Sequence, residues 1–212
     1  MTAAPGSPPE PLPGARLLFS LDPAVSYLNH GTVGVTPVPV QRAHQRLRDE
    51  MEADPQRFYT RGLADRVAHA RRYLAGFIGA DPDGSALVQN STHGIAVVLH
   101  SLRIGTGDEV VTTDHGYGSV NLAVDATGAR RRAVPVPLTA HPDEILAAVR
   151  AAVQPPRTKL VIVDLITSST ARFLPAARIV SAVRETGVPV LVDGAHAPGS
   201  VPLDVDSIGA DF

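Results

Sequence analysis

The sequence contains no cysteine, which excludes disulfide bonds, thiolate metal sites and a cysteine nucleophile within its 212 residues. It contains a single lysine, Lys159, so every other basic residue is an arginine. No apolar run is long enough to span a bilayer. The first residues lack the basic and apolar segments of a secretory signal peptide. We therefore expect a cytoplasmic protein that does not interact with membranes.

The residues that are present are typical of a soluble globular protein, with 44% hydrophobic and 19% charged residues. The formal net charge of -2 gives no reason to expect a nucleic acid as a partner. The length suits one large domain with or without an appendage. We predict a disordered proline-rich tail at 1–15, an N-terminal arm with helices at 16–80 and a larger domain at 81–212.

The predicted arm starts with a strand-like segment, Tyr27–Gly34, that leads into a glycine-containing loop. An amphipathic helix is predicted over Gln41–Glu52, after two prolines that suit a helix start. A second helix is predicted over Leu63–Ile78, with Gly79 as its end. The apolar residues spaced for one face of this second helix are Val67, Ala70, Leu74 and Phe77.

From Ala86 onward, short apolar runs alternate with helical patterns, which predicts an α/β fold with a mostly parallel sheet and helices on both faces. The last residues, Val205–Phe212, look like a turn that leads into a further strand. The predicted strands are Ala86–Val88, Glu109–Thr112, Arg132–Val136, Lys159–Val163 and Val188–Val192, with Pro135 placing the third near an edge or a bend. The predicted helices are Ser91–Leu102, Ser119–Ala126, Pro142–Val153 and Pro175–Thr186.

Asp193 ends the last apolar run, where open α/β sheets bind their ligands. A carboxylate buried there without a partner costs several kcal/mol, roughly, so it needs a cation or strong hydrogen-bond donors. The alternative is an aspartate that caps a turn, with Gly194 at positive φ. Residues Val188–Gly199 alone do not decide between these interpretations.

Four loops follow predicted strands and share one edge of the sheet: Gln89–Gly94, Thr113–Gly118, Asp164–Thr170 and Asp193–Gly199. The first begins a helix and offers hydroxyl groups and unpaired N–H groups, which suit a phosphate. The alternative is a plain Ser/Thr helix cap. The second loop carries an imidazole and a phenol that could stack on a planar ligand, or form an ordinary surface turn. The third carries a cluster of hydroxyl groups, which is also common in turns.

Other motifs are missing. The sequence has no glycine-rich dinucleotide fingerprint, no phosphate-binding Gly-Lys-Ser/Thr loop and no Gly-x-Ser-x-Gly elbow. His93 and His100 lie two helical turns apart, too far for one metal ion, and we predict no metal site.

Taken together and in this order, the loops resemble the class V aminotransferase family of pyridoxal-phosphate enzymes. The most similar branch contains isopenicillin N epimerase and cysteine desulfurase-like lyases. Each motif is loose, but their order and spacing make the resemblance specific. It implies the large domain of fold-type I pyridoxal-phosphate-dependent transferases, truncated before its last strands. The matching segments are Tyr27–Gly31, Asn90–Ile95, Asp114–Tyr117, Ile166–Thr170 and Val192–Gly199.

The resemblance implies a cofactor, pyridoxal 5'-phosphate, and a role for individual residues. Asp193 would pair with the protonated pyridine nitrogen and so keep the ring a strong electron sink. His196 and Ser168 would approach the phenolic oxygen of the ring. His115 would stack on the ring face, with Tyr117 as the alternative. The phosphate would be held by Ser91, Thr92 and the backbone of His93, and Asn29 and His30 would lie on the substrate side.

The resemblance also implies what this N-terminal portion lacks. The Schiff-base lysine of the family follows the segment that matches Gly209–Phe212, and Lys159 starts a strand at the opposite end of the sheet. We therefore expect no catalytic residue in this chain and no activity of the chain alone. Enzymes of this family act on an amino acid through a Cα carbanion, as epimerases, lyases or aminotransferases.

Two alternatives to an enzyme portion are considered. The first is a non-catalytic, truncated remnant that binds a phosphate ligand or a partner chain. The second is an unrelated nucleotide-binding domain, against which the missing glycine-rich fingerprint argues. The resemblance implies a homodimer for the complete protein, an expectation that does not extend to these residues alone.

Overall fold

A computed structural model describes residues 12–212 of the chain. Most of the predicted tail at 1–15 lies outside the described residues, and Ala15–Leu18 form a short 3-10 helix. The chain divides into two compact units, one ending at Val67 and the other covering Ala68–Phe212. The division falls inside a helix, whereas the sequence suggested a boundary after that helix, at residue 80.

The first unit is helical. Helix α1 covers Val38–Ala53, α2 covers Pro55–Arg61, and α3 begins at Leu63 and continues to Ile78 in the second unit. The helix predicted over Gln41–Glu52 is confirmed as α1, and α2 is a further helix that the sequence did not predict. The Asp54 side chain caps α2 by accepting a hydrogen bond from the Arg57 N–H at 3.0 Å. The predicted strand-like start at Tyr27–Gly34 is wrong. These residues form a turn, closed by a 3.3 Å hydrogen bond from the Thr32 N–H to the Asn29 carbonyl.

The bounds predicted for α3 are confirmed, and the apolar residues spaced for one of its faces are largely exposed. Val67, Leu74 and Phe77 are 44%, 47% and 60% exposed, and the buried residue of the helix is Ala75. A helical spacing of apolar residues shows which side chains share a face, but not whether another element covers that face.

The second unit contains a parallel sheet. Within residues 12–212, four strands pair in the order β2-β1-β3-β4, and all neighbours are parallel. β3 is rich in β-branched residues and is buried along most of its length, as expected of a central strand in a parallel sheet. The strands are β1 at Glu109–Thr113, β2 at Arg130–Val134, β3 at Thr158–Asp164 and β4 at Val190–Asp193.

Helices cover both faces of this sheet, so the predicted α/β architecture is confirmed. The helices are α4 at Ser91–Ser101, α5 at Gly118–Ala126, α6 at Pro142–Ala152 and α7 at Ala176–Arg184. Alternate residues of β3 point to opposite faces: Leu160 and Ile162 pack with α4 and α5, whereas Val161 and Val163 pack with α6 and α7.

The predicted strand Ala86–Val88 is absent from the described sheet. Leu87 and Val88 are about half exposed, and no strand pairing is found for this segment among residues 12–212. An extended segment becomes a strand only when a neighbour accepts and donates its backbone hydrogen bonds. The third predicted strand is confirmed as an edge strand, but it lies at Arg130–Val134 and ends before Pro135, which cannot donate to the ladder.

The end of the chain follows the predicted course. A short helix, α8, covers Val205–Ile208, and Gly209 ends it with a φ of 71°. The Phe212 N–H then donates to the Val190 carbonyl at 3.3 Å, and the Phe212 carbonyl accepts from the Val192 N–H at 3.0 Å. This alternation is the hydrogen-bond pattern of a parallel pairing with β4.

Candidate functional site

Three of the four predicted loops follow neighbouring strands of the sheet. The loops after β1, β3 and β4 begin at Thr113, Asp164 and Asp193, and these strands are adjacent in the order β1-β3-β4. The loops after β1 and β3 touch, because Nδ1 of His115 lies 2.9 Å from Oγ1 of Thr170. This contact is the one expected of carboxyl-end loops on adjacent parallel strands.

The remaining loop, Gln89–Gly94, follows no strand of the described sheet and leads into α4. Asn90 caps the helix, since its Oδ1 accepts a 2.8 Å hydrogen bond from the His93 N–H. The alternative of a Ser/Thr cap is therefore wrong. The hydroxyl groups of Ser91 and Thr92 make no side-chain hydrogen bond to the described residues, but the N–H of His93 is already used. A phosphate at this helix start stays a prediction. Its support comes from the two hydroxyl groups rather than from the His93 N–H, which already donates to Asn90.

His115 is held at both ring nitrogens. Nε2 lies 2.7 Å from the carbonyl oxygen of Val136, and Nδ1 lies 2.9 Å from the Thr170 hydroxyl. The neighbouring Asp114 fixes the same region, because its Oδ1 accepts a 2.9 Å hydrogen bond from the Val136 N–H. The imidazole is only 12% exposed, whereas Tyr117 is 43% exposed at the start of α5. Stacking of His115 on a ligand, with Tyr117 as the alternative, stays a prediction.

The loop after β3 folds back as a tight hairpin. The Thr167 N–H donates to the Arg172 carbonyl at 2.9 Å, and Ile166 pairs with Phe173. Thr167 is buried at the base of this hairpin, and Ser168 is exposed at its tip. Ser168 is therefore accessible to a ligand, and its predicted contact with a phenolic oxygen stays a prediction.

Asp193 is 8% exposed at the end of β4. Its Oδ1 accepts a 3.0 Å hydrogen bond from the Ala195 N–H, which is the turn-capping contact expected from the alternative interpretation. Gly194, however, does not have the positive φ that this interpretation required. No ion pair to Asp193 is found among residues 12–212. One backbone N–H leaves a buried carboxylate short of partners, so capping alone does not explain its burial.

Asp164 is the residue that the sequence-based prediction missed. It is 5% exposed at the end of β3 and is the register partner of Asp193 on β4, so both side chains project from the same face of the sheet. Burial, together with the negative charge of Asp193, raises the pKa of Asp164 to about 7. The structure thus places two buried carboxyl groups side by side, neither of them in an ion pair with a residue that the structure describes.

A further polar atom on this face has no partner. Thr112 in β1 shares the face of Val110, to which Asp164 and Asp193 also point. Its Oγ1 is buried and makes no hydrogen bond within the described residues. Unpaired buried polar groups are uncommon in native proteins and often mark a site that binds something else.

The remaining predicted residues are placed as follows. His196 is half-buried in the turn after Asp193, which is closed by a 2.9 Å hydrogen bond from the Ala197 N–H to the Gly194 carbonyl. Asn29 and His30 are exposed in the first unit, and His30 packs edge-on against Tyr27 with 4.8 Å between ring centroids. Their predicted place beside a substrate stays a prediction.

Lys159 is exposed at the amino end of β3, five residues before Asp164. Along a strand this separation is about 17 Å, so the amine lies far from the carboxyl end of the sheet. Among the residues described, no cluster of three or more His, Asp or Glu side chains could hold a metal ion, and no helix is long and apolar enough to cross a membrane.

Comparisons with known proteins give the chain a context. It is 36% identical over 207 residues to isopenicillin N epimerase of Amycolatopsis lactamdurans, which covers 93% of this chain and 51% of that protein. It is 31% identical over 208 residues to L-cysteine desulfhydrase of Arabidopsis thaliana, which covers 89% of this chain and 46% of that protein. The chain therefore spans about half the length of these curated relatives.

Solved structures agree with these relatives. The cystine C-S lyase C-DES, in complex with its product cysteine persulfide, superposes with a TM-score of 0.79 at 29% identity, over 87% of this chain and 51% of that one. A mutant of C-DES that carries glycine covalently linked to its PLP cofactor superposes with a TM-score of 0.80 at 28% identity, over 92% and 53% of the two chains. The family model for aminotransferase class-V matches residues 27–212. The chain belongs to the aminotransferase class-V family.

Proposed function

We propose that the complete protein is a pyridoxal-phosphate-dependent enzyme that acts on an amino acid, and that this chain supplies most of its cofactor-binding groups. The observation that carries the proposal is the pair of buried carboxyl groups, Asp164 and Asp193, without a cation among the described residues. A protonated pyridine nitrogen is a flat, cationic donor that such a carboxylate can hold. The unpaired Thr112 hydroxyl is a further polar group available to a ligand on the same face.

Different residues of the chain bind different parts of this cofactor. Asp193 keeps a proton on the ring nitrogen, His196 and Ser168 bind the phenolic oxygen, and the hydroxyl groups of Ser91 and Thr92 bind the phosphate. When bound, the cofactor withdraws electrons from the Cα of an amino acid. Whether the complete protein epimerises, eliminates or transaminates depends on which group at Cα is lost and which acid returns a proton.

The relatives support an amino-acid substrate without fixing the reaction. They include an epimerase and a desulfhydrase, and the solved neighbour C-DES is a cystine C-S lyase. We extend the proposal to a homodimeric, cytoplasmic enzyme.

A neutral replacement at Asp193 tests the proposal. We expect Asp193→Asn to weaken binding of pyridoxine 5'-phosphate about tenfold or more, because the charge that holds the ring proton is lost. This probe contains the ring and the phosphate but no aldehyde, so it cannot react with amines. Titration of the purified chain by calorimetry gives the dissociation constant. Asp83→Asn is the matched control, since Asp83 is 92% exposed.

Equal affinity of both variants and the unchanged chain for this probe would contradict the proposal. Absence of any binding to the unchanged chain would contradict it as well.

The position of Lys159 favours a second, narrower function for these 212 residues alone, which is binding of the cofactor without chemistry. With its amine at the amino end of β3, we expect no absorption band between about 400 and 430 nm on addition of pyridoxal phosphate. Reduction with borohydride and peptide mass mapping check this expectation. A stable adduct on Lys159 would overturn it.

A further inference from the structure

The hydrogen bonds around His115 form a network in which each donor and acceptor can be assigned. The Val136 carbonyl can only accept, so Nε2 of His115 must carry the hydrogen of their 2.7 Å contact. In a neutral imidazole, Nδ1 is then an acceptor, and the Thr170 hydroxyl at 2.9 Å must donate to it. Asp114, whose Oδ1 lies 3.7 Å from Nε2, favours a hydrogen on the same nitrogen.

This hydrogen-bond network continues into the hairpin after β3. Because the Thr170 hydrogen is committed to His115, Thr167 donates to Oγ1 of Thr170 across 2.7 Å. Oγ1 of Thr167 in turn accepts from the Arg172 N–H at 2.8 Å. The Arg172 guanidinium is anchored on the carbonyl groups of Pro137 and Ala140, in the segment after β2. Oγ1 of Thr167 also lies 3.4 Å from the Arg172 carbonyl, but its 2.7 Å contact with Thr170 is the shorter one, so the network runs in one direction from Arg172 to His115.

We propose that Thr170 is a positioning residue that orients the His115 ring between the segments after β2 and β3, on a tautomer that the Val136 carbonyl sets as Nε2–H. Both ring nitrogens are bonded to residues on opposite sides of the imidazole, so a rotation of the ring would break at least one of these two hydrogen bonds. The consequence for ligand binding rests on the proposed function, in which a flat pyridine ring binds at this edge of the sheet. The consequence for the orientation of the ring does not rest on it.

The tautomer is measured on the unchanged chain by long-range proton–nitrogen NMR after labelling of histidine with nitrogen-15. The chain contains eight histidines, and the His115 signals are identified by their loss in His115→Asn. We expect one protonated nitrogen, assigned to Nε2, and one unprotonated nitrogen, assigned to Nδ1. A spectrum of the Nδ1–H tautomer, or of two exchanging tautomers, would overturn the proposal without any need for a Thr170 variant.

Three variants test the role of the hydroxyl. Thr170→Val keeps the shape and removes the donor to Nδ1, so we expect the Nε2–H tautomer to persist and the nitrogen-15 signal of the unprotonated Nδ1 to move downfield as it loses its hydrogen bond. We also expect about fivefold weaker binding of pyridoxine 5'-phosphate, the effect of one hydrogen bond. Thr170→Ser keeps the hydroxyl and should restore both results. Ser169→Ala removes a neighbouring exposed hydroxyl and should change neither.

The two measurements separate the proposals. An unchanged His115 spectrum in Thr170→Val refutes the positioning role, whatever the ligand does. A changed spectrum with undiminished ligand affinity supports Thr170 as the donor that positions the ring, and refutes its link to ligand binding. If the unchanged chain does not bind the probe, the proposed function fails, while the spectra still decide the role of Thr170.

Discussion

At the amino end of the sheet, the buried carboxylate of Glu109 lies 3.8 Å from the guanidinium groups of both Arg130 and Arg132, and accepts a hydrogen bond from Thr158 at 3.2 Å. At the carboxyl end, Asp164 and Asp193 are equally buried, yet they lie beside each other without a cation in the part of the chain that the structure describes. Neighbouring cations offset the cost of burying a carboxylate, whereas a second carboxylate adds repulsion to that cost. The difference indicates that the carboxyl end is built for a ligand.

The largest expected effect is a pH dependence of stability that comes from Asp164. Burial and the charge of Asp193 raise its pKa to about 7, above the usual value of 3.8. Between these pH values the folded state holds a proton that the unfolded chain has lost, so stability decreases as the pH rises from about 4 to about 7. Each unit of pKa difference corresponds to about 1.4 kcal/mol, which sets an upper limit of about 4 kcal/mol.

Urea unfolding of the unchanged chain and of Asp164→Asn, at pH values from 4 to 8, checks this expectation. The amide does not titrate, so this decrease in stability should disappear in the variant, which becomes the more stable protein at high pH. Asp83→Asn serves as the control and should retain it. If the free energy of unfolding depends on pH in the same way in Asp164→Asn and in the unchanged chain, ionisation of Asp164 does not destabilise the fold and the prediction is wrong.

The second prediction concerns the amino end. Glu109→Ala removes the partner of the Thr158 hydroxyl and of two arginines, and it leaves a cavity, so we expect the free energy of unfolding to fall by about 2–3 kcal/mol. Binding of pyridoxine 5'-phosphate at the other end of the sheet should not change. Denaturant unfolding and calorimetric titration measure the two quantities. Glu185→Ala, at an exposed ion pair with Arg150, is the control and should cost less than about 1 kcal/mol.

Much of the fold on which this comparison rests could be predicted from the sequence. The β-branched runs at Glu109, Lys159 and Val188 each predicted a strand within two residues of its observed start, because a buried strand needs little beyond its own composition. The segment Ala86–Val88 is also apolar but has no pairing partner among the described residues. Pairing is a property of two segments and cannot be found in one of them.

The site was predictable only where one segment was sufficient. Asp193 stands out because it ends an apolar run. Asp164 also ends one, but its importance comes from the β3-β4 register that places it beside Asp193. The contact of His115 with Thr170 joins residues 55 positions apart, and no local pattern contains it.

The third prediction concerns Asp193, whose replacement should raise the free energy of unfolding, whereas Glu109→Ala should lower it. Asp193→Asn keeps an acceptor for the Ala195 N–H and removes a buried negative charge, so at pH 8 we expect a gain in stability of about 1 kcal/mol. The same change removes the repulsion that acts on Asp164, so the pKa of Asp164 should fall, while burial keeps it above 3.8. Carboxyl carbon-13 NMR titration follows this pKa, and denaturant unfolding gives the stability. A loss of stability comparable with that of Glu109→Ala would remove the distinction between the two ends.

The smallest effect is expected for the cations of the amino end. Arg130 is 75% exposed and Arg132 is 34% exposed, so solvent screens the first more than the second. We expect Arg130→Ala to lower the free energy of unfolding by less than about 0.5 kcal/mol and Arg132→Ala by about 1 kcal/mol. Both losses should shrink in 1 M salt, because screening weakens a partly exposed pair. If the double variant costs far more than the sum of its parts, then either arginine alone satisfies Glu109. In that case the amino end has a spare cation, and the absence of a cation beside Asp164 and Asp193 in the described chain becomes a still sharper contrast.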